Sequence, residues 1–164
     1  MTGPRPAFSP VRRVVTGHDA GGTAKVLSDA EATNSRRSRP EARSTLVWST
    51  DATPAPIPLG EDAEDMGARG LGTQPPANGS RFTVIDYAPG AHGSMHRTET
   101  LDYVIVVSGT VTMELDGSSV ELRAGDVLVQ RGANHAWINR GTQPARVAFV
   151  LIDAQPLGIG TPRR

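Results

Sequence analysis

Two histidines, His96 and His135, are the residues of this chain whose type and setting most directly suggest chemistry. They lie far apart in the sequence, and the runs between them alternate apolar and polar residues as β-strands do. Glycines interrupt those runs at plausible turns: Gly90, Gly109, Gly117, Gly125 and Gly132. Such a pattern folds a sheet back on itself, so we expect both imidazoles to face one cavity. There they can hydrogen-bond a ligand or act as acid and base.

Strand alternation adds further residues to this candidate site. Residues i and i+2 of a strand share a face, so Thr98 is expected beside His96, and Trp137 and Asn139 beside His135. We therefore predict that these three contact a bound small molecule. For Trp137, ordinary core packing is the alternative, because tryptophan fills a core as readily as it lines a pocket for a ring-bearing ligand.

The stretch from Gly90 onward resembles the first motif of the cupin superfamily. That motif runs Gly, five residues, His-x-His, three or four residues, Glu, six residues, Gly. Here Gly90, His96, Asp102 and Gly109 keep the spacing, but Thr98 replaces the second histidine and Asp102 replaces the glutamate. The sequence pattern HRTxxxDY is similar to the first motif of a bacterial and fungal subgroup of small single-domain cupins.

The second cupin motif is matched further along the chain. Gly125, Gly132, His135 and Asn139 fit a pattern of Gly, a short strand, Pro-x-Gly, two residues, His, three residues, Asn. The stretch before Gly132 is one residue short, and Gln130 stands where proline is usual. The resemblance covers residues 81–153.

The resemblance implies an all-β protein with a double-stranded β-helix, the cupin or jelly-roll barrel. We expect the barrel over residues 81–153, an N-terminal arm, hairpin and irregular cap over residues 1–80, and a tail over residues 154–164. The strand count and turn spacing independently favour two antiparallel layers that close into a small barrel, with little helix.

The resemblance also places His96, Thr98, Asp102 and His135 around the metal of the barrel. Two imidazoles and one carboxylate form a facial triad suited to Fe(II) and acceptable to Zn(II), Mn(II) or Ni(II). Thr98 leaves a position open for water or substrate. Three interpretations stay open: a divalent metal held by His96, Asp102 and His135, a metal-free pocket in which these residues act on the ligand directly, and purely structural histidines. His92, in the preceding loop, is a candidate substrate contact, replacement ligand or proton relay.

Composition restricts the partners. The 164 residues suit one domain, and the formal net charge of zero shows no electrostatic footprint for nucleic acid or an anionic membrane. Cysteine is absent, so disulfides and thiolate metal sites are excluded. The N-terminus lacks an apolar signal core and no apolar run could span a bilayer, so we expect a cytoplasmic protein.

Further expectations concern the flanking segments and one strand of the barrel. Arg12–Leu27 reads as a hairpin, and residues 1–10 as a mobile tail. The resemblance to cupins implies that this hairpin pairs two subunits as a homodimer. Residues 28–45 are polar, and the basic cluster Arg36–Pro40 within them reads as a solvated loop, with an anion contact as the alternative. Residues 54–79, with acidic residues near their start, read as an irregular connection or lid. Leu101–Val107 reads as a strand buried on both faces, with Tyr103 in the core.

The sequence thus predicts a small-molecule enzyme. The expected chemistry is metal-assisted or acid/base dehydration, isomerisation or lyase chemistry on a small oxygenated metabolite, with aromatic and polyketide-like compounds as candidates. Two alternatives remain: a non-catalytic small-molecule binding or sensor protein, and an Fe(II) dioxygenase.

Overall fold

The computed structural model describes residues 8–60 and 63–160. Most of the predicted N-terminal tail, the acidic pair Glu61 and Asp62, and residues 161–164 of the predicted C-terminal tail lie outside this part of the chain. The described residues form eleven strands and no helix, which confirms the all-β prediction. The strands are β1 (Arg12–His18), β2 (Ala24–Glu31), β3 (Ser35–Arg39), β4 (Ala42–Thr50), β5 (Ser80–Tyr87), β6 (Thr100–Ser108), β7 (Thr110–Leu115), β8 (Ser119–Arg123), β9 (Val127–Arg131), β10 (His135–Ile138) and β11 (Ala145–Asp153).

The strands form three antiparallel sheets. The larger barrel sheet has the order β3-β4-β5-β11-β6-β9, and the smaller one has the order β10-β7-β8. In the larger sheet β11 lies between β5 and β6, so the last strand of the chain closes the barrel between strands from its middle. This pairing of distant strands is typical of a jelly roll, and it confirms the predicted barrel. No helix among the described residues could cross a membrane.

The predicted N-terminal hairpin is present. Among the described strands, β1 and β2 pair only with each other, with a register shift between Val15 and Thr16. Arg13 fixes the hairpin to the body of the protein, because its guanidinium makes a two-pronged ion pair with Asp65 and donates to the carbonyl of Val47 at 3.4 Å.

The prediction that the basic cluster Arg36–Pro40 is a solvated loop is wrong, because most of it belongs to strand β3. Strand β2 runs to Glu31, and most of residues 32–45 belong to β3 and the start of β4. Strand β3 pairs with β4 through Ser35 and Thr45, whose hydroxyl groups lie 2.7 Å apart. Its sequence lacks apolar alternation because its side chains contact solvent and the rim of the cavity instead of the hydrophobic core.

Strand β6 is buried on one face, so the prediction of burial on both faces is also wrong. Asp102, Val104 and Val106 point inward and are buried. The outward side chains are about half exposed: Tyr103 47%, Ile105 44% and Val107 53%. Tyr103 therefore lies outside the core, because no described part of the chain covers the outer face of the larger sheet at β6.

The hydrophobic core lies between the two barrel sheets. Its most completely buried members come from β6, β7 and β11: Val104, Val106, Val111 and Val147. Phe149 and Trp137 extend this core toward the cavity, with ring centroids 5.3 Å apart in a T-shaped contact. The core thus forms a rigid wall behind the candidate site.

Candidate functional site

Backbone pairing brings His96 and His135 together. The amide of His96 donates to the carbonyl of His135 at 2.9 Å, and the amide of His135 donates to the carbonyl of His96 at 2.8 Å. Residues paired in this way project their side chains to the same face. The two imidazole centroids are 4.5 Å apart, with ring planes inclined at 46°. The structure thus places both imidazoles side by side, while their predicted roles stay predictions.

Each imidazole uses its Nδ1 atom inside the protein. His96 Nδ1 lies 2.9 Å from the carbonyl of Ser94, and His135 Nδ1 lies 2.9 Å from the carbonyl of Ala133. A carbonyl can only accept, so Nδ1 holds the proton and Nε2 keeps the lone pair in the neutral ring. Gln130 Nε2 also lies 3.3 Å from His135 Nδ1, but two protonated nitrogens cannot hydrogen-bond each other. The basic atom that each neutral ring offers is therefore Nε2.

Burial affects the protonation of His135. Its side chain is buried, and loss of hydration lowers its pKa below the ordinary value of 6.5. The neighbouring His96 acts in the same direction, while the hydrogen bond to Ala133 opposes it. His135 is consequently unprotonated at neutral pH and can accept a proton there.

Asp102 is a buried carboxyl group without a cationic partner among the described residues. It projects inward from β6, where its Oδ2 accepts from Gln130 Nε2 at 3.3 Å and its Oδ1 has no hydrogen-bond partner in the described chain. Burial raises the pKa of Asp102 from 3.8 to about 6. At neutral pH this carboxyl group is therefore mostly ionised, but its protonated form is far more accessible than that of an ordinary aspartate.

These groups line a cavity of about 400 Å³. Six of the seven residues predicted for the site line it: His92, His96, Thr98, Asp102, His135 and Trp137. Apolar side chains supply much of the remaining wall: Leu46, Leu71, Ile85, Phe149 and Leu151. A cavity of this volume and lining suits a small, partly apolar molecule with a few polar groups.

The seventh predicted residue, Asn139, does not line the cavity. Its amide nitrogen donates to the carbonyls of Tyr87 at 3.0 Å and Gln143 at 2.8 Å, and its oxygen accepts from the amide of Gly141 at 2.9 Å. The side chain is 1% exposed. Asn139 therefore holds the turn after β10, and its position does not support the predicted substrate contact.

The remaining predicted residues differ in accessibility. Thr98 is buried, and its hydroxyl lies 2.8 Å from that of Thr100. His92 is exposed at the cavity rim. Trp137 serves both the core and the cavity, since its ring contacts Phe149 and lies 6.1 Å from the ring of His135. The other tryptophan, Trp48, is not among the lining residues.

The predicted three-ligand metal site does not fit this arrangement. In the part of the chain that the structure describes, no three His, Asp or Glu side chains converge closely enough to hold one ion. His96 and His135 offer two Nε2 donors, whereas Asp102 is directed to Gln130 on the neighbouring strand β9. The assignment of a divalent metal to these three residues stays a prediction.

Four arginines of the cavity were missed as site residues. Arg36, Arg39, Arg69 and Arg81 all line it. Arg36 and Arg39 were partly indicated by the sequence, because both belong to the basic cluster Arg36–Pro40. An anion contact was the alternative interpretation of that cluster. Arg81 gave no local signal, since it stands at the start of an ordinary apolar strand.

Comparison with known proteins decides the family. The family model of the cupin domain matches residues 83–152. The cupin-domain-containing oxidoreductase fogC of Aspergillus ruber is 38% identical over 158 residues, which cover 92% of this chain and 76% of the fungal protein. This chain belongs to the cupin family. Phomopsin biosynthesis cluster protein C' of Diaporthe leptostromiformis is 34% identical to this cupin over 161 residues, which cover 94% of this cupin and 84% of that protein.

Solved structures agree with the fold. An uncharacterized conserved protein with a double-stranded β-helix domain from Klebsiella pneumoniae matches this cupin with a TM-score of 0.51 and 20% sequence identity. The match covers 74% of this cupin and 85% of that chain. At this identity the likeness shows the fold alone.

Proposed function

We propose that this cupin is a biosynthetic enzyme that transfers protons on a small oxygenated, ring-bearing or polyketide-like metabolite. The observation that supports this most strongly is the His96–His135 pair, in which each ring holds Nδ1 against a backbone carbonyl and lines the cavity, so that Nε2 is the nitrogen left for a ligand. Dehydration, isomerisation or lyase chemistry are the reaction types that such a pair serves. Relatives belong by name to biosynthesis clusters, such as that of phomopsin.

The proposed reaction begins with proton removal by His135. Its Nε2 takes a proton from a carbon next to a carbonyl group of the substrate, and its Nδ1–H bond to Ala133 holds the ring in place. In a dehydration, the departing hydroxyl group needs a proton, and the protonated form of Asp102 supplies one so that water leaves. The proton on His135 then returns to the Asp102 carboxylate, which regenerates the site. Acid/base groups of this kind contribute about 10²–10⁴-fold each.

The cavity lining supports a substrate with apolar surface. Trp137 and Phe149 present aromatic faces, and Leu46 and Ile85 add aliphatic contacts. Burial of such surface gives affinity without charge, so the polar groups of the cavity are left to fix orientation.

The test is the change His135→Gln. Turnover of a converting substrate should fall at least about a hundredfold, while substrate affinity changes much less, since the glutamine keeps a polar side chain but cannot take the proton. A panel of hydroxylated ketones, phenols and hydroxy acids is followed by mass spectrometry for conversion and by calorimetry for binding. Asn134→Gln, a change outside the cavity beside the mutated position, is the matched control. Tight binding without conversion, with and without Fe(II), Zn(II) or Mn(II), would instead indicate a binding or sensor protein.

A second candidate is an oxidoreductase. The observation that favours it is the name of the Aspergillus ruber relative. The Nε2 atoms of His96 and His135 would then be the contribution of this chain to a metal ion such as Fe(II). Product oxidised relative to substrate, formed only with added Fe(II) and oxygen, would support this candidate over proton transfer.

We also propose that the protein is a homodimer formed through the hairpin β1–β2. The hairpin pairs with no other described strand, and a two-stranded hairpin is marginal by itself. Removal of residues 1–28 should give monomer or aggregate in sedimentation experiments. An intact protein that sediments as a monomer at micromolar concentration contradicts this proposal.

A further inference from the structure

The cavity has an excess of positive charge that the proposed chemistry does not use. Its lining includes Arg36, Arg39, Arg69 and Arg81, whereas the acidic lining residues are Glu41 and the partly protonated Asp102. Arg69 is neutralised by ion pairs with Asp51 and Glu64, neither of which lines the cavity. The other three arginines form no ion pair with a carboxylate of the described chain.

Arg81 is the most deeply placed of the unmatched arginines. Its Nη1 donates to the carbonyl of Gly72, but its Nε is buried and has no hydrogen-bond partner among the described residues. Arg36 lies near enough to repel it, and burial together with this repulsion lowers the pKa of Arg81. A half-buried guanidinium beside a second cation is costly unless an anion joins them.

Strand register places Arg81 on the same inner face of the larger sheet as Asp102. Arg81 of β5 is paired with Leu151 of β11, and Leu151 is paired with Asp102 of β6. The three side chains therefore stand in one cross-strand row on the inner face, with Arg81 and Asp102 two strands apart. Neighbouring strands lie about 4.8 Å apart, so the two Cα atoms are separated by roughly 10 Å. Leu151 supplies an apolar surface between them.

Arg36 approaches the same region from β3, the edge strand of the same sheet. It projects from β3, and its Nη1 donates to the carbonyl of Leu71 at 3.1 Å. The carbonyls held by Arg36 and Arg81 thus belong to consecutive residues, Leu71 and Gly72, of the connection between β4 and β5. Both guanidinium groups meet this segment where it lines the cavity, and no carboxylate of the described chain accepts from their remaining N–H groups.

We propose that Arg81 and Arg36 bind a carboxylate group of the substrate, which rests on the proposed function because it concerns the same cavity. The substrate is then an aromatic or polyketide-derived carboxylate. Its anionic end lies between the two guanidinium groups, its apolar body crosses Leu151 and Phe149, and its oxygenated reacting end reaches His96, His135 and Asp102. Guanidinium groups suit this task because their planar N–H forks match the geometry of a carboxylate.

The experiment uses the full chain and two probes of the same shape, naphthoate and naphthamide. Calorimetry gives the dissociation constant of each at neutral pH. The wild type should bind the carboxylate at least about tenfold more tightly than the amide, which is the effect of one charge-assisted contact. In Arg81→Gln this ratio should fall to near one, and Arg81→Lys should restore part of it. Arg123→Gln, the same change at an exposed arginine outside this cavity, should leave the ratio unchanged.

The ratio of the two dissociation constants shows whether Arg81 recognises the carboxylate or has a purely structural role. If Arg81 only holds the segment at Gly72, Arg81→Gln should weaken both probes equally, and that result overturns the proposal. A wild type without preference for the carboxylate overturns it as well. His135→Gln should keep the preference, because it leaves both arginines in place. An Arg81-dependent preference in a protein that converts no substrate would therefore refute the proposed function and leave this inference standing.

Discussion

The larger sheet contains two buried aspartates whose surroundings are opposite in kind. Asp86 lies on the outer face of β5, directly between Arg43 and Arg146 on the two neighbouring strands. Both arginines donate to it, Arg43 at 2.7 Å and Arg146 at 2.7 Å. Asp102 lies on the inner face of β6, between Leu151 and Gln130, and has no cation within hydrogen-bonding distance in the described chain.

The difference separates a structural carboxylate from a chemically available one. The arginines that hold Asp86 also donate to the carbonyl of Ser9, so the group ties the N-terminal segment to the barrel. Asp102 has an unpaired oxygen, a raised pKa and a place in the cavity. A protein that buries a carboxyl group without compensation loses stability there, and such sites are often functional.

The largest expected effect is at the compensated aspartate. Asp86→Asn leaves two partly buried arginines without their counterion and should lower the free energy of unfolding by about 3 kcal/mol, as measured by urea denaturation. Asp29→Asn is the matched control, because it removes an exposed ion pair with Arg12 and should leave stability nearly unchanged. If both changes lowered the free energy of unfolding equally, the buried Asp86 ion pairs would contribute no more to stability than an exposed one.

A smaller effect of opposite sign is expected at Asp102. Its folded-state pKa of about 6 lies above the ordinary value of 3.8, so folding is favoured while the group is protonated, and this contribution is lost as the pH rises through about 6. Asp102→Asn removes the cost of the buried charge. It should raise the free energy of unfolding by about 2 kcal/mol at alkaline pH and change it little at acidic pH below the unfolded value. Urea denaturation at both pH values checks this, and a gain that does not depend on pH contradicts it.

Much of this fold is encoded in local sequence pattern. Alternation and turn glycines predicted the strands between Phe82 and Ile152, and the spacing of Gly90, His96 and His135 predicted the barrel. These features are local, since each strand and turn is specified by residues close in the chain.

The environment of each side chain was less predictable because it depends on distant strands. Nothing near Asp102 in the sequence indicates that its neighbour on β9 is Gln130, and nothing near Arg81 indicates the approach of Arg36. The exposure of Tyr103 likewise depends on which segment covers the outer face of β6. Strand β3 was missed because its residues are polar, two of them being the cavity arginines Arg36 and Arg39, so hydrophobic periodicity is absent.

The central claim, that His135 offers a neutral Nε2 lone pair to the cavity, is tested most directly by nitrogen–proton NMR of the imidazoles across a pH titration. At neutral pH the spectrum should show His135 protonated on Nδ1 and unprotonated on Nε2, because Nδ1 donates to the carbonyl of Ala133. Its midpoint should lie below the ordinary pKa of 6.5, since burial disfavours the imidazolium. A ring that is protonated on Nε2, or doubly protonated at neutral pH, would contradict the account.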